Sequence, residues 1–529
     1  MPTVSFPQLS QKWNRPRFQS QVIRIGLCVA LVLGGIWFLL PRWRVGYSEA
    51  IQRGDIHILE DPLADGLGHP SFREVKLYEG SLPQHHSSGK WSVRPRYLFF
   101  PWASWGSGWN NIFQEQLMNT HLAYLSQRAY VFPQYIPRDH PPFPDTLENG
   151  TRHMLHIPMN AFVSGPTSGG PLSADSSDSL AGRAVPEEWW NIACPREQVV
   201  VVDLHQTMSE LGIDSSKDDG GKILERWAAK LSEISAPCVS IEGGSVFDYI
   251  LFGYRILSAW PSYGNSPTLK YFTWSPLVTA ALFRNFHVLS SSPPPEYLLP
   301  KDTAPYRFTS FNPLRASEPP ISGLLGIHVR RGDYEYHCPF LADIGAEYNA
   351  WSSFGTPGIS QRPEFENFSR PAWPALLDYL DVPENISGRD ARFNHCLPTA
   401  EAVVARVGRV REEAKAAGIA SDLRRIYVAT NAEQGWIENL TTLLKAEGWE
   451  VSTSFEMDLT LEERAVGQAV DMGILTAAEV FIGVGVSVTF LDDISVLNVV
   501  WMRQFSSLTS NVVQIRLAGG KDPRTIRFW

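Results

Sequence analysis

The chain has 529 residues, 44% apolar and 19% charged, with a formal net charge of −9. That is the composition of a globular protein, of a length that exceeds what one hydrophobic core commonly supports. The acidic balance excludes a protein that grips nucleic acid through a general basic field.

Close to the start, residues 22–40 are apolar except for Arg24. The run is long for the core of a secretory leader, Pro41-Arg42-Trp43-Arg44 offers no small-residue cleavage site, and Trp37 and Trp43 suit an interfacial anchor. We expect a cytosolic tail over 1–21, an uncleaved transmembrane signal anchor over 22–41 and a stem over 42–94. The bulk of the chain then lies in the lumen of the endoplasmic reticulum or Golgi, as a single-pass type II membrane protein. Sequons at Asn149, Asn367, Asn385 and Asn439 agree with that compartment. Outside the apolar run are Cys194, Cys238, Cys338 and Cys396, for which nearest-neighbour pairing gives Cys194–Cys238 and Cys338–Cys396.

After the stem, Tyr97-Leu-Phe-Phe reads as a strand and Gly106-Ser-Gly-Trp-Asn-Asn as a glycine turn. Residues 110–128 carry helical periodicity, and Ala129-Tyr-Val-Phe is a second strand. Residues 137–188, rich in Pro, Gly, Ser and Asp, are expected to form a long surface excursion. Val199-Val-Val-Val-Asp and Cys238-Val-Ser-Ile are further strands, 249–288 is mainly helical, and 290–300 links two halves. The second half alternates strands over 324–329, 425–430, 450–453 and 480–483 with helices over 400–417, 432–448 and 461–478. This is the α/β class: two Rossmann-like, doubly wound parallel sheets facing each other across a cleft, over 95–300 and 301–529.

One strand end carries concentrated charge. The apolar run to Ile327 finishes in His328-Val-Arg330-Arg331-Gly-Asp333, and buried charge is costly without a partner. In such sheets, ligands bind beyond the carboxyl ends of the strands. Alternation puts His328 and Arg330 on one side and Arg331 on the other, so one arginine can face a ligand while its neighbour pairs with a carboxylate, for which Asp333 is at hand. An arginine fork fits phosphate oxygens bidentately, each charge-assisted bond contributing roughly 1.5–3 kcal/mol. An adhesive Arg-Gly-Asp needs an exposed loop tip and is not expected at a strand end.

This His-x-Arg-Arg-x-Asp segment resembles the first signature of the GDP-fucose-dependent α1,2-, α1,6- and protein O-fucosyltransferases. Three further segments, in the same order along 97–515, are similar to that family. Gly106-Ser-Gly108-Trp-Asn110 resembles the Gly-x-Gly-Phe-Asn loop of its protein O-fucosyltransferases, and Ile426-Tyr-Val-Ala-Thr-Asn431 their Tyr-Val-Ala-Thr-Asp strand. Val470-Asp471-Met-Gly through Gly483 resembles the helix and strand ahead of their glycine/serine loop. The resemblance implies two Rossmann-like domains and an inverting, metal-free transfer of fucose from GDP-fucose to a hydroxyl of a luminal protein, with a glycan as the rival acceptor and no nucleic acid partner. No metal site is expected, and the chain has no Asp-x-Asp triplet. By the same resemblance Arg330 holds the β-phosphate, His328 lies over the nucleotide, and Asp471 bonds guanine or ribose. Asn110 and the Gly106 and Gly108 backbone face the sugar and diphosphate, with Arg331 beside the donor.

The chain departs from the family twice. Where the branch acting on thrombospondin repeats has a glutamate as general base, this loop has Ser107, so Glu335 and Asp333 are the candidate bases, with Glu115 as another. The family's diphosphate loop is also interrupted: Phe481-Ile-Gly-Val-Gly485 continues into Val486-Ser-Val-Thr-Phe, while Phe505-Ser506-Ser507-Leu-Thr-Ser follows 19 residues later. Val486-Ser487 can be encoded by GTG-AGT and Gln504 by CAG, the sequences that mark an intron's ends. We read 486–504 as a retained intron, with Ser506 and Ser507 the intended phosphate ligands. If those residues are translated, the product is expected to be an inactive nucleotide-sugar-binding protein.

Overall fold

The apolar runs become the inner strands of two five-stranded sheets in which every pairing is parallel. A computed structural model of the chain describes residues 70–86, 94–101, 108–137, 145–146, 152–153, 156–174, 180–247, 251–301, 308–332, 334–343, 348–355, 388–420, 422–484 and 506–529. The expected tail, membrane span and most of the stem lie outside these residues, as do Asn149, Asn367, Asn385, Gly106 and Asp333. Among the described residues, no helix is long and apolar enough to cross a membrane. All of them belong to the unit Leu63–Trp529.

Helix α1 (Arg73–Gly80) precedes the first sheet. That sheet contains β1 (Tyr97–Phe99), β2 (Ala129–Phe132), β3 (Val185–Pro186), β4 (Val199–Asp203) and β5 (Cys238–Glu242) in the order β3-β2-β1-β5-β4. Between β1 and β2 runs α2 (Trp109–Leu125), α3 (Glu187–Ala193) follows β3, and α4 (Gly220–Glu233) precedes β5. Asp219 caps α4 by accepting from Lys222 N–H, as an N-cap carboxylate should.

The second sheet has β6 (Ile321–Val329) at its centre. β7 (Arg425–Thr430) and β8 (Glu450–Thr453) lie on one side, with β9 (Ala478–Gly483) and β10 (Ile526–Phe528) on the other. Its helices are α5 (Tyr334–Asp343), α6 (Gly388–Cys396), α7 (Ala400–Ala416), α8 (Gln434–Ala446), α9 (Gly467–Ala477) and α10 (Ser507–Ala518). This order is that of a doubly wound sheet; the first sheet differs from it in having its last strand inserted beside β1.

One apolar cluster runs through both halves, joining Leu98, Trp109 and Val239 to Leu324, Tyr427, Phe481 and Val512. The other face of the second sheet, with Leu325, Ile327, Val428 and Ile482, packs on α7 through Val403 and Val407 and on α8 through Leu440 and Leu444. Each such side chain contributes about 1.5–3 kcal/mol by leaving water.

Two segments differ from the sequence expectation. Residues 70–86, read as stem, hold α1, whose Phe72 and Val75 are fully buried and whose Glu79 accepts from Asn160 N–H at 3.1 Å. Residues 157–170, read as surface, are buried throughout. Their Pro and Gly content forbids regular structure but not burial, because backbone partners are present: Ser164 N–H donates to Thr273 at 3.0 Å and Asn160 Nδ2 to the Ser168 carbonyl at 3.1 Å.

The cysteines pair Cys194–Cys238 and Cys338–Cys396. The second bond ties α5 to α6 across a sequence separation of 58 residues. Loop-closure entropy alone then predicts that a Cys338→Ser/Cys396→Ser chain loses roughly 4 kcal/mol of unfolding free energy, measured by denaturant titration.

Candidate functional site

The strand order reverses between β6 and β9, and the crevice beyond the carboxyl ends at such a reversal is where open α/β sheets bind ligands. His328, Arg330 and Arg331 leave β6 there, Gly483 and Val484 leave β9, and Ser506 caps α10. Thr509, one turn into α10, joins the two strands. Its hydroxyl accepts from Val484 N–H at 3.1 Å and lies 2.9 Å from His328 Nδ1. A Cβ on Gly483 would stand 2.2 Å from Thr509 Cγ2, so only glycine lets α10 lie this close to β9.

His328 is buried, and desolvation together with the charge of Arg330 holds its pKa down to about 3. It is a neutral bridge between β6 and α10. The Trp529 indole N–H donates to its carbonyl at 2.9 Å.

The two arginines have different surroundings. Gly332, at φ +31°, turns the chain out of β6, and Arg331 N–H donates to Asn431 Oδ1 at 2.9 Å. The Arg331 guanidinium donates to the Pro398 carbonyl at 2.8 Å, stacks over Trp436 at 4.7 Å and meets Glu335 at 3.5 Å. Its carboxylate neighbour among the described residues is Glu335, and Asp333, the partner expected from the sequence, lies outside them. Arg330 stands beside His328 with its guanidinium 4.7 Å over the ring of Tyr334.

Ser506 and Ser507 are both buried at the start of α10. Ser506 Oγ has no hydrogen-bond partner among the described residues, although a helix N-terminus is where hydroxyls and backbone N–H groups collect around anions.

Asp471, on α9, accepts from Tyr427 Oη at 2.6 Å, and burial pushes its carboxyl pKa up to about 6. A carboxyl raised by burial adds stability fully below its ordinary pKa and loses it as pH climbs through the raised value. The unfolding free energy of the native chain is expected to fall, relative to Asp471→Asn, by roughly 2 kcal/mol between about pH 4 and pH 7, as paired denaturant titrations would register.

Gly108 caps α2, and Asn110 sits in its first turn. The Asn110 side chain donates to Gln468 Oε1 at 2.8 Å, while its carbonyl and Oδ1 accept from Asn511 Nδ2 at 2.9 and 3.2 Å. Gln514 Nε2 then donates to Asn511 Oδ1 at 2.7 Å, and Tyr263 Oη to Gln514 Oε1 at 2.8 Å. This buried polar chain connects α2 to α9 and α10. Gln468, Asn511 and Gln514 were not singled out from the sequence; only the spacing of Gln468 three residues before Asp471, one helical turn, hints at a shared face.

Residues 348–355 were also missed, inside what reads as a Pro-rich excursion. Trp351 is fully buried against Tyr263, with ring centroids 5.1 Å apart, and its backbone N–H donates to Ser510 Oγ at 3.0 Å. Tyr348 packs on Phe528 at 5.3 Å. Asn439 lies exposed on α8.

No protein-family model matches the chain, and no curated protein matches it. Solved structures similar to it include POFUT1 in complex with GDP, at 12% identity and a TM-score of 0.43, covering 82% of this chain and 98% of that one. In fold, the chain is also similar to POFUT1 in complex with GDP-fucose, at 13% identity and a TM-score of 0.45, over 83% of this chain and 99% of that one.

Proposed function

We propose that the chain is a GDP-fucose-dependent fucosyltransferase of the two-domain cleft type, acting on a Ser or Thr hydroxyl of a luminal protein from a single-pass type II membrane position. The observation that carries this reading is Arg330 at the end of the central strand of a doubly wound sheet, within a signature that resembles the O-fucosyltransferases and faces a helix N-terminus headed by two serines. That arrangement supports an anion site, and the ordered motifs narrow the anion to the diphosphate of GDP-fucose.

In this reading the acceptor oxygen forms a bond to the anomeric carbon as the bond to the β-phosphate oxygen breaks, with inversion. Arg330 meets the charge that grows on the departing GDP, which favours the transition state over the bound donor. Glu335, in the first turn of α5 beside the arginine turn, takes the acceptor's proton. Asp471 in its ionised form accepts from the guanine edge. No metal is assigned a part. A glycan acceptor is the rival, and the interruption after Gly485 favours a second reading, a nucleotide-sugar-binding protein without transfer.

Titration calorimetry on the full chain tests the donor. GDP-fucose is expected to bind at least tenfold more tightly than GDP-mannose and to leave UDP sugars without measurable heat. Equal affinity for all three would sink the assignment. Binding without turnover of donor on any hydroxyl acceptor would select the second reading.

A further inference from the structure

Strands β6 and β9 separate at the crevice. They run in register from Leu325 and Val480 to Ile327 and Ile482, while on its other side β6 stays paired with β7 as far as Val329 and Thr430. One more rung in the same register would carry the N–H of Val484 to the carbonyl of His328. That rung is not made. Val484 N–H donates instead to Thr509 Oγ1 at 3.1 Å, and the His328 carbonyl receives the indole N–H of Trp529 at 2.9 Å. Both backbone groups that the separation leaves over are thus given side-chain partners, as burial requires.

Trp529 follows β10, which pairs with β9 and not with β6, so its indole crosses the end of β9 to reach the central strand. It is held firmly. Its backbone N–H donates to the Gly483 carbonyl at 3.1 Å, and the Phe528 carbonyl just before it accepts from Arg406 Nε at 3.0 Å. The residue is 4% exposed and packs in the apolar cluster that contains Ile327, Val329, Ile482 and Val484. A rigid bicyclic ring therefore anchors the main chain of β6 two residues before Arg330.

We propose that Trp529 is a positioning residue for the diphosphate clamp: its indole N–H replaces the missing rung, keeps the ends of β6 and β9 apart and fixes where Arg330 stands. The proposal rests on the donor reading above, which gives the β-phosphate to Arg330. Without the N–H, the His328 carbonyl is a buried acceptor whose nearest substitute donor is Val484 N–H. Recapturing it draws the two strand ends together and carries Arg330 out of line, and a charge-assisted fork depends on distance and direction.

Titration calorimetry of the full chain with GDP and GMP, which differ by the β-phosphate alone, tests it. The native chain is expected to bind GDP about tenfold or more tightly than GMP. Trp529→Phe keeps an aromatic ring and removes the N–H. It is expected to cut that ratio by roughly fivefold or more, with GMP affinity unchanged within error. Trp449→Phe is the control: Trp449 is buried in the same cluster but precedes β8, at the opposite end of the sheet, and the ratio is expected to survive its loss. An unchanged ratio in Trp529→Phe, an equal loss of GMP and GDP affinity, or an equal fall in Trp449→Phe would overturn the inference and leave the donor reading standing. A native chain without preference for GDP over GMP would overturn both. If Trp529→Phe does not fold, β-(3-benzothienyl)alanine at position 529, which keeps the bicyclic shape and lacks the N–H, decides by the same ratio.

Discussion

Replacing Arg330 with alanine is expected to lower transfer from GDP-fucose by about 10²–10³-fold, with the unfolding midpoint unchanged within error. The magnitude is that of removing one donor aimed at charge that develops in a transition state, about 3–4 kcal/mol. The fold is expected to tolerate the change because Arg330 contributes no apolar side chain to either core cluster. Arg330→Lys should recover little, since a point charge cannot reproduce a fork that matches two phosphate oxygens. The neighbouring arginine provides the contrast. Arg331 is committed to the Pro398 carbonyl, the Trp436 ring and Glu335, and its side chain is only 14% exposed. Its replacement should therefore lower the unfolding midpoint as well as activity. If Arg330→Ala turns over donor at the native rate, the assignment fails. If both variants lose stability equally, the division of labour between the two arginines fails with it.

That division was partly legible in the sequence. Alternation along a strand says that Arg330 and Arg331 cannot point the same way, and apolar runs ending in charge identify a strand end. The strands at Arg425–Thr430 and Glu450–Thr453 were found at their observed bounds for a related reason: β-branched and aromatic residues are bounded there by turns and flanked by long periodic helices. What binds Arg331 was not legible. Pro398, Trp436 and Glu335 come from three different elements, and only the Cys338–Cys396 bond and the packing of α7 on α8 bring them together. The same holds for Asn110, whose partner Asn511 lies 401 positions away. Composition misled in two places. The Pro- and Gly-rich stretch 157–170 and the short stretch 348–355 lack periodicity, yet they supply buried aromatic anchors such as Phe162 and Trp351. Absence of regular structure was read as absence of burial. Val199–Asp203 was found as a strand, but its place at a sheet edge was not legible, because an apolar strand there carries the same pattern as one at the centre.

Removing residues 486–504 is expected to raise affinity for GDP-fucose by tenfold or more and to restore transfer. The inserted residues themselves lie outside those described, so the argument rests on the two ends. Val484 N–H already donates to Thr509 Oγ1 at 3.1 Å, and Thr509 lies only one turn beyond Ser506, which heads α10. The end of β9 and the start of α10 are therefore neighbours in the chain that carries the insertion. After deletion, Gly485 and Phe505 alone join Val484 to Ser506, a span of three virtual bonds that reaches roughly 10–11 Å when extended. That is enough to cover one helical turn's displacement without moving either element. The shortened loop is Phe481-Ile-Gly-Val-Gly485-Phe505-Ser506-Ser507, and its two hydroxyls at a helix N-terminus would complete the clamp opposite Arg330. Ser506 Oγ, buried and without a hydrogen-bond partner among the described residues, is the group such a ligand would satisfy. Calorimetry of the native and shortened chains with GDP-fucose separates the outcomes, and cDNA sequencing shows which form the cell makes. A shortened chain that folds but binds no more tightly would refute Ser506 and Ser507 as phosphate ligands. A major transcript carrying all 19 codons would refute the retained intron and leave Ser487 and Thr489 to be tested in their place.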